Sequence, residues 1–245
     1  MIETLKILDT FAGIGGFSYA AHELVGGFQT TQFVEIDPFC QKVLKKHFPK
    51  VPCHDDIKTF TAYPGQYDVI TGGFPCQDIS VAGRKEGITK QSRSGLFYEL
   101  IRVIRLVRPK FVVMENVAAI LNNGLDIVLG ELSEAGYDAE WSIISASSLG
   151  AAHRRSRWWC VATVTNSNGK GLQRKNLSKM ESGIWSAKHT RRLDPNWRSY
   201  VSKPILPRGS YGLSNRGDRT RALGNSIVPA VAAIPLQRVH DLYYK

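Results

Sequence analysis

A chain of 245 residues, 43% hydrophobic and 22% charged, can bury one sizeable core, and this composition excludes wholesale disorder. No run reaches the ~18 apolar residues of a membrane span, the start lacks the basic flank and apolar stretch of a secretory leader, and Cys40, Cys53, Cys76 and Cys160 form no C-x-x-C pair; the expectation is a cytoplasmic protein with free thiols, no metal and no membrane attachment. The net charge of +11 is unevenly placed: residues 1–150 carry 14 Lys and Arg against 17 Asp and Glu, and residues 151–245 carry 18 against 4, which points to a polyanion partner because clustered cations release counterions from phosphates.

The first apolar run, 5–9, reads as a strand. It leads into Thr-Phe-Ala-Gly-Ile-Gly-Gly at 10–16, a Gly-rich turn that opens a helix, where backbone N–H groups come close to a ligand. Ser18 stands where the third glycine of a G-x-G-x-x-G fingerprint would fall. The next strand, 32–35, ends on Glu35, placed to accept hydrogen bonds from two ribose hydroxyls. Asp56 ends a third unit and could take an adenine amino group while Ile57 packs on the ring. A loop and two acids on successive units make a nucleoside pocket, but the pattern alone does not separate a nicotinamide dinucleotide from S-adenosylmethionine.

Strand 67–71 runs into Gly-Gly-Phe-Pro-Cys-Gln at 72–77. A lone cysteine is more often a small buried hydrophobe than a nucleophile. Cys76 differs in its setting: a Gly- and Pro-containing loop straight after a strand, with Arg84, Lys85 and Arg93 near enough in sequence to favour the attacking thiolate. The spacing of Leu96, Phe97, Leu100, Ile101, Ile104 and Val107 predicts a helix over 96–107, with Arg102 and Arg105 off its apolar face. Strand 110–114 then delivers Glu115 and Asn116 to the same sheet edge as Cys76; a carboxyl desolvated there has a raised pKa and can donate a proton. After strand 141–146, His-Arg-Arg-Ser-Arg at 153–157 precedes strand 158–164. Alternate residues of an extended segment share a side, so Arg155 and Arg157 are expected to face the site together and Arg154 to point elsewhere. The alternation of strands and helices predicts an α/β fold with a mainly parallel sheet covered on both faces and ligands at the strands' carboxyl ends. From 165 to 219 the texture is irregular and basic, with Trp185 and Trp197 favoured as core, and 227–244 resumes a helical pattern.

Phe-Ala-Gly-Ile-Gly-Gly at 11–16, Gly-Phe-Pro-Cys-Gln at 73–77, Met-Glu-Asn-Val at 114–117, His-Arg-Arg-Ser-Arg at 153–157 and Leu-Gly-Asn-Ser-Ile-Val-Pro at 223–229 resemble, in that order, the motifs of the cytosine-5 DNA methyltransferase family. The resemblance covers 5–163 and 215–235, and is that of a short member of phage or bacterial type. It implies a Rossmann-like S-adenosylmethionine-dependent methyltransferase sheet over 1–164, completed by 219–245, with a small basic target-recognition region at 165–218. It implies that Cys76 adds to carbon 6 of a cytosine flipped out of duplex DNA, and that Glu115 relieves charge at the ring nitrogen. Arg157 goes to the cytosine carbonyl, Arg155 to the adjacent backbone, and Asn116 to holding the Cys76 loop. The cofactor residues are Phe11, Ala12, Gly13, Gly15, Gly16, Glu35, Ile36, Asp56, Ile57, Pro75, Leu96 and Asn225. Expected on DNA are Gln77, Ser80, Arg84 and Arg93, with Arg174, Lys175, Arg191, Arg192 and Arg208 from the basic region. The family usually has glutamine where this chain has His153. A monomer is expected, with room for a paired restriction endonuclease. Three other readings stand beside this one: the tRNA-methylating branch, against which Pro75, Cys76 and Gln77 side with DNA; a DNA-binding module without turnover; and a dinucleotide-dependent oxidoreductase.

Overall fold

Near-continuous apolar runs bounded by glycine form strands covered on both faces. In the computed structural model, which describes residues 3–75, 95–165 and 216–244, the first such run is β1, Leu5–Thr10, with every residue but Lys6 buried. It pairs in parallel with β2, Phe28–Val34, and β4, Val69–Gly73. The two-residue β3, Cys53–His54, extends the sheet beyond β2, and β5, Phe111–Val117, extends it beyond β4, both in parallel. The last two strands are β6, Tyr137–Ser145, and β7, Ser156–Val164. β7 inserts antiparallel between β5 and β6, giving the order β3-β2-β1-β4-β5-β7-β6. The expected mainly parallel sheet is therefore present, with β7 as its reversed member.

This order places the site. The chain steps outward from β1 to β2 and β3, then returns to lay β4 and β5 on β1's other side. The loops leaving β1 and β4 consequently diverge, and the crevice between them is where open α/β sheets hold ligands.

Side-chain alternation splits the core into two layers. One holds Leu8, Ile70, Met114, Trp158 and Cys160 against α3, Leu96–Val107, and α4, Leu125–Glu134. The other holds Ile7, Val69, Val113, Trp159 and Val161 against α1, Gly16–Tyr19, which continues as a π-helical stretch over Ala20–Val25. α2, Pro38–His47, is capped by Asp37, whose carboxylate accepts from the Phe39 and Cys40 N–H groups. After α5, Arg216–Asn225, comes α6, Pro229–Tyr244, which buries Val231, Ala232, Leu236 and Val239 in the second layer. Helix α3 has the bounds its apolar spacing predicts. Strands β2 and β6 begin four residues earlier than expected, at Phe28 and Tyr137. Among the described residues no helix is long and apolar enough to cross a membrane.

Candidate active site

The turn after β1 folds as it does because of one carboxylate. Glu35, immediately past β2, accepts the Gly13 N–H at 2.6 Å on Oε2 and the Asp37 N–H at 2.8 Å on Oε1, fixing the Gly-rich loop against the β2–α2 connection. Burial raises the Glu35 pKa, and these N–H bonds draw it back. Each oxygen keeps acceptor capacity for a ligand hydroxyl. Phe11 sits at φ +51°, an uncommon left-handed conformation for a side-chain-bearing residue.

Beside this loop lies a cleft of about 260 Å³ lined by Phe11, Val34, Glu35, Ile36, Asp56, Ile57, Lys58, Gly73, Pro75 and Leu96. Seven of the expected cofactor residues thus converge on one cavity: Phe11, Glu35, Ile36, Asp56, Ile57, Pro75 and Leu96. Ile36 stands 69% exposed and Ile57 is buried. Asp56 accepts the Lys58 N–H at 2.9 Å on Oδ1. Ala12, Gly13, Gly15, Gly16 and Asn225 are not among the lining residues. Gly13 acts through Glu35, and Gly15, at φ +87°, and Gly16 serve packing: a Cβ on Gly15 would lie 2.9 Å from Phe48 Cε2, and one on Gly16 3.1 Å from Ile227 Cβ. Val34, Lys58 and Gly73 line the cleft without having been assigned to it; Val34 adjoins Glu35, Lys58 adjoins Ile57, and Gly73 opens the Gly-Phe-Pro-Cys-Gln motif.

At the other side of the crevice, β4 and β5 pair with Gly73 opposite Glu115. A Cβ on Gly73 would stand 3.2 Å from Glu115 Oε2, so the glycine leaves room for the carboxylate. Arg157 Nε lies 3.0 Å from Glu115 Oε1. Burial is the largest influence on Glu115 and raises its pKa; Arg157, then Arg155, oppose it. Asn116, buried on the opposite face, donates to the Phe74 carbonyl at 3.2 Å and accepts the Val117 N–H at 2.8 Å.

The arginine segment departs from expectation. β7 starts at Ser156, and Arg155 has φ +35°, which breaks the two-residue alternation that would have aimed Arg155 and Arg157 together. Arg157 goes to Glu115, whereas Arg155 donates to the Gly224 carbonyl at 3.0 Å and the Ser226 carbonyl at 2.6 Å. Cys76, Gln77, Ser80, Arg84 and Arg93 lie outside the described residues, as do Arg174, Lys175, Arg191, Arg192 and Arg208.

Beneath the Gly-rich loop is a polar cluster for which the sequence carried no periodic signal. Asp9, wholly buried, accepts from Ser18 Oγ at 2.6 Å and Thr71 Oγ1 at 2.7 Å, and Thr30 Oγ1 donates to Ser18 Oγ at 2.8 Å. Burial pushes the Asp9 carboxyl up to about 7.

Comparison with known proteins shows what this arrangement is similar to. The family model for C-5 cytosine-specific DNA methylase matches residues 5–208. The type II methyltransferase M.CviJI of Paramecium bursaria Chlorella virus IL3A is 38% identical over 162 residues, 65% of this chain and 43% of its own. The type II methyltransferase M.HhaI of Haemophilus parahaemolyticus is 29% identical over 173 residues, 69% of this chain and 52% of its own. The chain thus spans about half the length of these relatives or less. The crystal structure of a DNMT2 variant from Spodoptera frugiperda superposes with a TM-score of 0.56 at 24% identity, covering 71% of this chain and 54% of that one, a likeness of fold.

Proposed function

Because this chain belongs to the C-5 cytosine-specific DNA methylase family, we propose that it transfers a methyl group from S-adenosylmethionine to carbon 5 of cytosine in double-stranded DNA, through a covalent Cys76 adduct on a flipped base. The observation that carries the reading is the crevice itself: a nucleoside-sized cleft beside the Gly-rich loop shares Gly73 with a partly buried Glu115–Arg157 pair.

The residues present fit the cofactor. Glu35 offers acceptors suited to ribose hydroxyls, Asp56 an acceptor suited to an amino group, and Phe11, Ile36, Ile57 and Leu96 apolar walls for a purine. When bound, S-adenosylmethionine supplies an electrophilic methyl group on a sulfonium, which carbon 5 takes while the sulfur keeps the electron pair.

The chain's part is to make carbon 5 nucleophilic. The Cys76 thiolate bonds to carbon 6, and the displaced π electrons move toward the ring's carbonyl and N3. Glu115, whose burial favours its protonated form, gives a proton or hydrogen bond to N3 as that charge develops. Arg157, held at Glu115, serves the adjacent carbonyl in this reading. After transfer, the carbon 5 proton passes to solvent, the electron pair it leaves re-forms the carbon 5–carbon 6 double bond as the Cys76 thiolate departs, and N3 returns its proton to Glu115. Asn116, donating to the Phe74 carbonyl two residues before Cys76, supports the loop's placement. We assign the basic 165–218 region to phosphate contacts and target reading, and 1–164 with 219–245 to catalysis. The type II names of the relatives favour a role in restriction–modification.

Incubation with tritiated S-adenosylmethionine and duplex DNA, followed by bisulfite sequencing, tests the reading. Label at cytosine carbon 5, trapping on DNA containing 5-fluorocytosine, and loss of both in Cys76→Ser are expected. Label confined to tRNA, or a wild-type protein that binds DNA without trapping, would overturn it.

A further inference from the structure

The last residues of α5 and the turn to α6, residues 224–228, are where this part of the chain meets both halves of the crevice. Ile227 alone touches both halves among the residues of this turn that lie against Gly16 and Gly73. Its Cβ and carbonyl lie 3.1 and 3.2 Å from where a Cβ on Gly16 would stand, so it rests on the Gly-rich loop. Its Cδ1 lies 3.7 Å from the equivalent point on Gly73, beside Glu115. Yet α5 has little apolar hold on the protein: Ala222 is its one buried side chain among the described residues, and Leu223 is 64% exposed. An element with few buried contacts opens locally at low cost unless polar tethers fasten it.

Two arginines are those tethers. Arg221 on α5 reaches Asp37 at 2.7 Å, the residue whose N–H holds Glu35. Arg155 reaches across 69 and 71 residues of sequence to the Gly224 and Ser226 carbonyls, which bracket the turn's apex. Its φ of +35° aims the planar guanidinium there, and a two-pronged donor of fixed geometry is suited to binding two carbonyls at once.

We propose that Arg155 is a positioning residue, a latch that holds the Gly224–Ile227 turn down on the Gly-rich loop and thereby sets affinity for the cofactor, rather than a contact to the nucleic-acid backbone. The proposal rests on the reading of the crevice as an S-adenosylmethionine site. It separates two quantities that a direct DNA contact would couple differently. Lost phosphate contact lowers DNA affinity and reduces the salt slope by about 1. A lost latch weakens cofactor binding and leaves that slope alone.

The experiment measures S-adenosylhomocysteine binding by calorimetry, DNA binding against salt by fluorescence anisotropy, and backbone hydrogen exchange, on wild type, Arg155→Ala and Arg155→Lys. Expected for Arg155→Ala is an S-adenosylhomocysteine Kd raised about tenfold or more, the scale of one lost charged hydrogen bond. Exchange should quicken in 223–228 with β1, β4 and β5 unchanged, and the salt slope should stay at the wild-type value. Arg155→Lys, which keeps the charge but not the fork, should fall between and carries the test if the alanine variant fails to fold. An unchanged Kd with a slope lowered by about 1 would overturn the latch in favour of a DNA contact. A wild type that does not bind S-adenosylhomocysteine would overturn the cofactor reading instead. Exchange needs no ligand, so slow exchange in 223–228 of the variants would still sink the latch.

Discussion

Glu115 and Arg157 form a partly buried ion pair, and the charge state of the carboxyl decides what the site can do. Desolvation favours the protonated carboxyl, while the guanidinium 3.0 Å away favours the ionised one. Removing Arg157 takes away the larger of the two opposing influences, so the Glu115 pKa in Arg157→Ala should rise further. If Glu115 delivers the proton to N3, the single-turnover methylation rate falls on the alkaline side as the carboxyl ionises. That limb should move to higher pH in Arg157→Ala and vanish in Glu115→Gln, with a rate loss of roughly 10²–10⁴ in the latter. A limb that stays in place in Arg157→Ala would dissociate the pair from the chemistry. Glu115 was legible in the sequence because an apolar run followed by a carboxyl puts the acid at a strand's carboxyl end. The hydrogen bonds of Arg155 to the Gly224 and Ser226 carbonyls were not, because a single positive φ leaves no trace in residue pattern.

Elements were legible where one face is uniformly apolar, and less so elsewhere. α3 buries Phe97, Leu100, Ile101, Val103, Ile104 and Val107 on a helical period, so both its ends could be read. β2 and β6 lost their first residues to polar positions, Gln29, Thr30 and Thr31 in one and Asp138 and Glu140 in the other, and β3 is too short to carry a period. Strand direction has no local signature, which is why the reversal of β7 was invisible. The polar residues are functional in the packing: Ser18 from α1 and Thr71 from β4 donate to Asp9 of β1, and Thr30 from β2 donates to Ser18. With a folded pKa of about 7 against a reference of 3.8, Asp9 binds its proton more tightly folded than unfolded. Its contribution is therefore complete below about 4, falls as pH rises toward 7, and is flat above. Wild type should lose stability relative to Asp9→Asn across that window, on the order of a few kcal/mol, at about 2–4 °C of Tm per kcal/mol for a chain of this size. Parallel Tm curves for the two proteins between pH 4 and 7 would show that the carboxyl titrates as it does in the unfolded chain.

Across the whole chain, the first six strands lie in a net acidic stretch, 1–150, and the basic excess lies after it, together with β7 and α6; only the sum of the two stretches gives the +11. Residues 1–150 are net acidic, so on the proposed function the long-range attraction for DNA would come from the 18 Lys and Arg after residue 150. That division was legible from counting alone, whereas base readout depends on a few side chains whose identity no charge count reveals. The physical consequence is a salt dependence: engaging about six phosphates would lower DNA affinity roughly 10³-fold between about 50 and 200 mM salt. Arg191 and Arg192, taken as phosphate contacts, should each contribute about one unit of the slope of log K against log salt, so Arg191→Gln with Arg192→Gln should flatten it by about two. The same double variant should bind S-adenosylhomocysteine as wild type does, because the described residues that line the cleft at Glu35 and Asp56 come from 11–96. A slope unchanged in the double variant would remove these two arginines from the phosphate path and shift the burden to Arg174, Lys175 and Arg208.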